Sequence, residues 1–291
     1  MTDFNSVTIF GEVLFDCFPN GEKVLGGAPF NICWHLQAFG DSPVFVSRIG
    51  QDALGVQILK NARDWGIETQ FIQQDPQHPT GQVQIELIDN EPHYDITAHS
   101  AYDFIRFDEM NLNHHGGILY HGSLALRSAD SKQQFVRLQK AGDWSVFLDV
   151  NLRAPWWDKT SLFKWLHAAR WVKLNIDELH ELGFNDSDLQ KAMHAFRSKF
   201  ACQQLIVTQG AEGSSVLCEE GFFRQTPPKI EHFVDTVGAG DAFTSVYIHG
   251  LLHNWPIQHT LQQAQTFAAK IIGLRGALST DPDFYRNAFR Q

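Results

Sequence analysis

Short apolar runs alternate along the chain with longer stretches whose apolar residues recur at helical spacing, a pattern that predicts a parallel sheet buried on both faces. Val7 to Phe10, Val13 to Phe15, Val44 to Val46, Gly117 to Tyr120, Ser145 to Val150, Trp171 to Leu174 and Leu205 to Val207 have strand length. Asn31 to Phe39, Ala53 to Trp65, Ser131 to Ala141 and Ser187 to Phe200 read as helices. One segment departs from this. From Gln82 to Leu87, the apolar Val83, Ile85 and Leu87 alternate with Gln82, Gln84 and Glu86 before a turn-like Asp89-Asn90-Glu91-Pro92. That period of two predicts a half-exposed hairpin strand, with Tyr94 to Thr97 as its partner. A small antiparallel sheet projecting from a parallel one suits a lid; the plainer alternative is an edge hairpin with no function.

Composition narrows the class. The chain has 291 residues, 43% of them apolar, enough for one large α/β domain or two small ones. With no repeat, low-complexity tract or charged linker, residues 1–291 read as a single α/β domain, its lid built from segments about 12–28 and 80–108. A net charge of -10 argues against a nucleic-acid or anionic-membrane partner. No stretch approaches the eighteen apolar residues of a membrane span, and Met1 to Ser6 is polar. Cys17, Cys33, Cys202 and Cys218 lack CxxC spacing and lie in apolar stretches, which predicts buried reduced thiols and a cytoplasmic location. The 14 histidines are scattered, with His114 and His115 in a polar loop, and predict no histidine-ligated metal.

The strongest chemical signal is Asp235-Thr236-Val237-Gly238-Ala239-Gly240-Asp241-Ala242-Phe243, followed by apolar residues at helical spacing. Two glycines around one small residue, just before a helix, let the amides of Gly238, Ala239 and Gly240 converge where the helix dipole is positive, forming an anion hole. A carboxylate beside bound phosphate is ill suited to holding it, because the two repel. Asp241 is better suited to accepting a proton from an attacking hydroxyl. The bland alternative is a tight turn followed by a first-turn helix acid.

This nine-residue run resembles the carboxy-terminal motif of the ribokinase-like, or PfkB, carbohydrate kinases. Gly26-Gly27-Ala28-Pro29-Phe30-Asn31 resembles the family's first motif, and Asp16 stands where the family keeps a sugar-binding aspartate. The resemblance extends over nearly the whole chain and implies the ribokinase-like fold: a central, mostly parallel sheet between helices in three layers, with a small β-sheet lid. Gly11 to Pro19, Gly26 to Gly40, Ala101 to Phe104, Asp149 to Arg153 with Pro155 to Trp157, and Asn175 to Leu179 look most like the bacterial fructokinase subgroup. Ala28-Pro29 occupies the place where ribokinases usually carry lysine, which makes ribose less expected. Val246 replaces a small residue of many relatives and reads as a packing change.

The resemblance implies roles, each with a structural alternative beside it. Asp16, Gly26, Gly27, Asn31 and Arg153 would contact sugar, although Asp16 could be a turn residue, Asn31 a helix N-cap and Arg153 a surface ion pair. Asn175 and Glu178 would lie near the ATP phosphates, Glu178 organising Mg²⁺ largely through water; the same pair has the spacing of a capping box. Thr208, Gly210 and Gly213 would form a nucleotide loop, or else a hairpin entry. Asp235 lies where relatives bind a monovalent cation, so K⁺ activation stays open beside a purely loop-orienting role. Adenine would sit among Gln258 to Ile272 with Arg275-Gly276-Ala277 behind, while Trp156 and Trp157 read as packing or lid contacts. The expected reaction is ATP-dependent phosphorylation of a monosaccharide, D-fructose to D-fructose 6-phosphate first. Alternatives are 2-keto-3-deoxygluconate, mannose, ribose or a nucleoside as substrate, or a catalytically silent sensor. A homodimer through an apolar lid face is a further expectation.

Overall fold

The protein is described here by a computed structural model that covers residues 4–88, 91–107, 116–229, 233–286 and 288–289. The predicted turn at Asp89-Asn90 and the His114-His115 loop lie outside the described residues. Strands β1 (Val7–Phe10), β2 (Leu14–Cys17), β3 (Lys23–Gly26), β4 (Val44–Gly50), β5 (Ile72–Asp75), β6 (Gly81–Ile88), β7 (Glu91–Ile96), β8 (Gly116–His121), β9 (Asp143–Asp149), β10 (Trp171–Asn175), β11 (Gln204–Thr208), β12 (Ser214–Cys218) and β13 (Gly221–Gln225) make two sheets. The helices are α1 (Ala28–Phe39), α2 (Ala53–Asp64), α3 (Ala129–Lys140), α4 (Lys159–Ala168), α5 (Ile176–Glu181), α6 (Leu189–Phe200), α7 (Ala239–Leu252), α8 (Ile257–Ile271) and α9 (Pro282–Arg286).

The large sheet runs β13-β12-β11-β10-β9-β8-β1-β4-β5 and is parallel from β11 to β5. Its strands read as nearly continuous apolar runs because both faces are buried. Phe147, Trp171 and Ile206 pack toward α1, α2, α7 and α8. Val146, Leu148, Val172 and Leu174 pack toward α4, α5 and α6, and the same face continues beneath α3 through Leu119 and Phe135. The three-layer architecture is the expected one. Since these strands are parallel, Phe10, Asp149, Asn175 and Thr208 all end at one edge, where sites gather in such sheets.

The small sheet, β3-β2-β6-β7, grows from that edge, and its β6–β7 register of Val83 on Ile96 and Ile85 on Tyr94 matches the alternation in the sequence. Val83, Ile85 and Ile96 are buried against Phe10, Phe71 and Tyr102 of the chain's own core. Tyr94, paired with Ile85 on the same face, stays exposed, so of the described residues on this face Val83, Ile85 and Ile96 pack inward and Tyr94 faces outward. One expectation changes, because α1 begins at Ala28 rather than Asn31. Gly27, at φ 105°, is its N-cap and Pro29 stands in its first turn, so Asn31 is an interior, buried helix residue and not a cap. All four cysteines are buried and free. No helix among the described residues is long and apolar enough to cross a membrane.

Candidate active site

The amino terminus of α7 is built on a close approach. Gly238 is its N-cap at φ 78°, and a Cβ there would stand 2.3 Å from the Cβ of Ala277, so only glycine fits both the turn and the packing. The Ala239 amide donates to Thr236 O at 3.2 Å, which leaves the amides of Gly240 and Asp241 as first-turn donors with no helical acceptor. They mark the electropositive end of a fourteen-residue helix.

Asp241 sits on that first turn. Its Oδ2 accepts a 2.7 Å hydrogen bond from Asn31 Nδ2, which joins the two sequence motifs across the core. Burial holds the Asp241 carboxyl above the usual aspartate range, and repulsion from Asp149 adds to this; the Asn31 hydrogen bond, Lys173 and Arg153 pull the other way. Behind Gly240 lies a buried ammonium. Lys173 Nζ donates to Asp149 Oδ1 and Oδ2 at 3.1 and 3.0 Å, and a Cβ on Gly240 would stand 3.4 Å from it. Thr244 Oγ1 donates to Asp149 Oδ2 at 3.0 Å, so α7 fixes the acid that fixes the lysine.

The small sheet supplies the facing wall. Asp16 in β2 is half-buried, with the α-carbon of Gly26 close to its carboxylate, and burial raises it to about 6 against the attraction of Arg153, with Asp235 pushing in the same direction as burial. A Cβ on Gly27 would stand 2.9 Å from Glu12 O. Arg153 is exposed and donates to its neighbour Leu152 O at 3.0 Å; its charge bears on Glu12, Asp16 and Asp241, so the surface ion-pair alternative is not what the geometry presents.

The phosphate side is more occupied. Asn175 and Glu178 form a complete capping box: Asn175 Oδ1 accepts from the Glu178 amide and Glu178 Oε2 from the Asn175 amide, each at 2.8 Å. Glu178 Oε1 also accepts from the Leu152 amide at 2.7 Å. Each oxygen keeps one lone pair, so the buried carboxylate can still accept from a metal-bound water or meet a metal ion itself. Thr208 lies level with Asn175 in the β10–β11 register. Gly210 and Gly213 shape the β11–β12 turn, where a Cβ on Gly213 would meet Gln225 O at 2.1 Å. Asp235 Oδ1 accepts from the Val237 amide at 3.1 Å, a turn that orients the loop before the cradle.

Residues 6–283 match the profile of the pfkB family carbohydrate kinases. The chain belongs to that family. Fructokinase of Escherichia coli is 26% identical over 95% of this chain and 96% of its own length. Aminoimidazole riboside kinase of Salmonella typhimurium strain LT2 is 25% identical over 97% and 93%. The crystal structure of Vibrio cholerae O395 fructokinase with fructose, ADP and calcium ion superposes with a TM-score of 0.80 at 23% identity, covering 96% of each chain. That likeness establishes the ribokinase-like fold.

Within this PfkB carbohydrate kinase, several polar groups at the site were not singled out from sequence. Lys173 is a charge inside the apolar run Trp171 to Leu174, the sequence signal of a buried, paired cation. Glu12 is 3% exposed with Oε2 unpartnered, and burial raises its carboxyl to about 7. Tyr102, Tyr120 and Arg127 surround it electrostatically, and each has a buried polar atom without a protein partner: Tyr102 Oη, Tyr120 Oη and Arg127 Nη1. Arg127 is held by a two-pronged pair with Asp103, both bonds 2.8 Å, and packs on Trp156.

Proposed function

We propose that the chain transfers the γ-phosphoryl group of ATP to a hydroxyl of a monosaccharide, with the 6-hydroxyl of D-fructose as the leading acceptor. The observation that carries this reading is the Asn31–Asp241 pair: it joins a carboxylate on the first turn of α7, beside the free amides of Gly240 and Asp241, to the helix that follows the small sheet. Sugar would lie among Asp16, Gly26, Gly27, Asn31, Arg153 and Asp241. The hydroxyl oxygen forms a bond to phosphorus as the bond to the ADP oxygen breaks, and its proton passes to Asp241 Oδ. A sugar hydroxyl is a weak acid, so that transfer comes late, and positioning with charge stabilisation supplies most of the rate. The Gly240 and Asp241 amides, together with Lys173 behind them, face the charge on the transferring group.

ATP would run from this cradle past Asn175, Thr208, Gly210 and Gly213. Magnesium entering with ATP neutralises phosphate charge, and Glu178 would hold it through a bound water. Similarity to both a fructokinase and an aminoimidazole riboside kinase keeps a ribosyl substrate as the second reading. The test is ADP release from Mg-ATP against D-fructose, ribose, mannose, 2-keto-3-deoxygluconate, adenosine and aminoimidazole riboside, in K⁺ and in Na⁺, with Asp241→Ala as control. Turnover of fructose alone, abolished in the variant, supports the first reading. Preference for a riboside replaces it with the second, and no turnover with any acceptor favours a silent sensor. A rate that depends on K⁺, with that dependence lost in Asp235→Ala, would assign the monovalent-cation role to the Asp235 loop.

A further inference from the structure

At the far end of α7, three metal-ligating side chains converge where the sequence predicted none. His249 lies in the last turn of the helix and His253 is its C-cap, so the two stand one turn apart on one face. Asp41, in the turn between α1 and β4, reaches both. Its Oδ2 lies 2.8 Å from His249 Nδ1 and its Oδ1 lies 2.9 Å from His253 Nε2, and its side chain is only 3% exposed. The ligand atoms of all three fall within 4.8 Å of one another.

We propose that Asp41, His249 and His253 form a binding site for a divalent first-row transition ion of the zinc class. One carboxylate with two imidazoles is a donor set that favours zinc and its neighbours over magnesium or calcium. Metal–ligand bonds of about 2.0–2.2 Å in a tetrahedral shell place adjacent ligand atoms roughly 3.4 Å apart, so the 2.8 and 2.9 Å contacts open by about half an ångström to admit an ion. The His249 ring is held by stacking on Phe289 at 4.8 Å and by edge contacts with Trp255 and Phe39, so its ligand lone pair is oriented before any ion arrives. His253 is 52% exposed, which supplies an entry path and room for water as a further ligand.

An independent feature points the same way. A helix carries partial negative charge at its carboxy terminus, and a cation bound there complements it just as phosphate would complement the amino terminus of the same helix. Twelve residues separate Asp241 from His253, about 18 Å of helix at 1.5 Å per residue, so the two sites are distinct. Bound ion would tie the α1–β4 turn to α7, the element that also carries Asp241.

The competing arrangement has each neutral imidazole donating its N–H to Asp41, with no metal affinity. The two separate in one experiment. Full-length protein stripped with chelator is titrated with Zn²⁺ against a chromophoric competitor, and with Co²⁺ by visible absorption, for wild type, Asp41→Asn, His253→Ala and the exposed control His194→Ala. The expected result is one site per chain in wild type and His194→Ala, weakened at least tenfold in Asp41→Asn and His253→Ala. Zn²⁺ should raise the melting temperature of wild type but not of His253→Ala. Equal Zn²⁺ affinity in wild type and His253→Ala would overturn the proposal. His253→Ala keeps the half of the cluster that is buried, and its circular dichroism and metal-free melting confirm that the variant is folded.

Discussion

Asn31 Nδ2 and Asp241 Oδ2 meet at 2.7 Å although 210 positions separate them in the chain. A helix following the small sheet and a helix following the glycine cradle are thereby fixed to each other at the catalytic carboxylate proposed above. Hydrogen bonding to the ionised form opposes the upward push of burial on Asp241. Asp241→Ala should lower kcat by about 10²–10⁴ while sugar still binds, as expected for loss of a general base. Asn31→Ala should act differently, moving the acid limb of the kcat–pH profile upward because the carboxyl now ionises at higher pH. An unshifted limb in Asn31→Ala would separate the pair's structural role from any effect on the base.

Lys173 gives a second test. Lys173→Met leaves the Asp149 carboxylate, 1% exposed, with Thr244 as its remaining side-chain partner, and breaking a buried pair in this way costs about 3–5 kcal/mol. The double variant Lys173→Met/Asp149→Asn removes that stranded charge and should recover most of the melting temperature. It should not recover kcat, because the cation facing the cradle is still missing. Recovery of both would make the lysine purely structural.

Legibility in the sequence followed burial. Strands β1, β4, β8, β9, β10 and β11 were readable because each carries an apolar run covered on both faces. β5, Ile-Gln-Gln-Asp, was not, since as an edge strand it needs few apolar residues, and its register with β4 is set from outside. The lid hairpin was readable from a strict period of two, whereas β3 carries only two large apolar residues and is defined by pairing with β2. The glycine turn that opens α7 was readable because local turn chemistry demands those residue types in that order. Glu12, Lys173 and the Asp41–His249–His253 cluster were not, because each acquires meaning only from residues brought together by the fold.

Two glycines at positive φ should differ in cost. Gly238→Ala combines a left-handed backbone with a contact that no real Cβ makes, and should lose about 1–3 kcal/mol from strain plus a similar amount from overpacking. Ala277→Gly in the same chain should restore part of the melting temperature. Gly210 is also at positive φ, 54°, but nothing lies within 4 Å of its missing Cβ, so Gly210→Asn should leave stability nearly unchanged. Thermal melts of the three variants check the order. The KM for ATP in Gly238→Ala should rise more than that for sugar if the turn serves phosphate.

Glu12 makes the sharpest pH prediction. Its carboxyl is raised from 4.5 to about 7 by burial, against the attraction of Arg153 and Arg127, so the folded state holds its proton more tightly than the unfolded chain does. The contribution to stability is therefore fully present below about pH 4.5 and is lost as pH rises through 7. Glu12→Gln keeps the shape of the protonated acid and cannot ionise. Its melting temperature relative to wild type should climb between pH 5 and pH 7 and level off above, with the largest benefit at alkaline pH. A difference that stays flat from pH 5 to 8 would mean that Glu12 ionises in the folded protein much as it does in the unfolded chain, with water or substrate-site cations compensating for its burial. The same variant reports on function: loss of sugar affinity without loss of stability would place the orphaned Oε2 among the groups that meet the substrate.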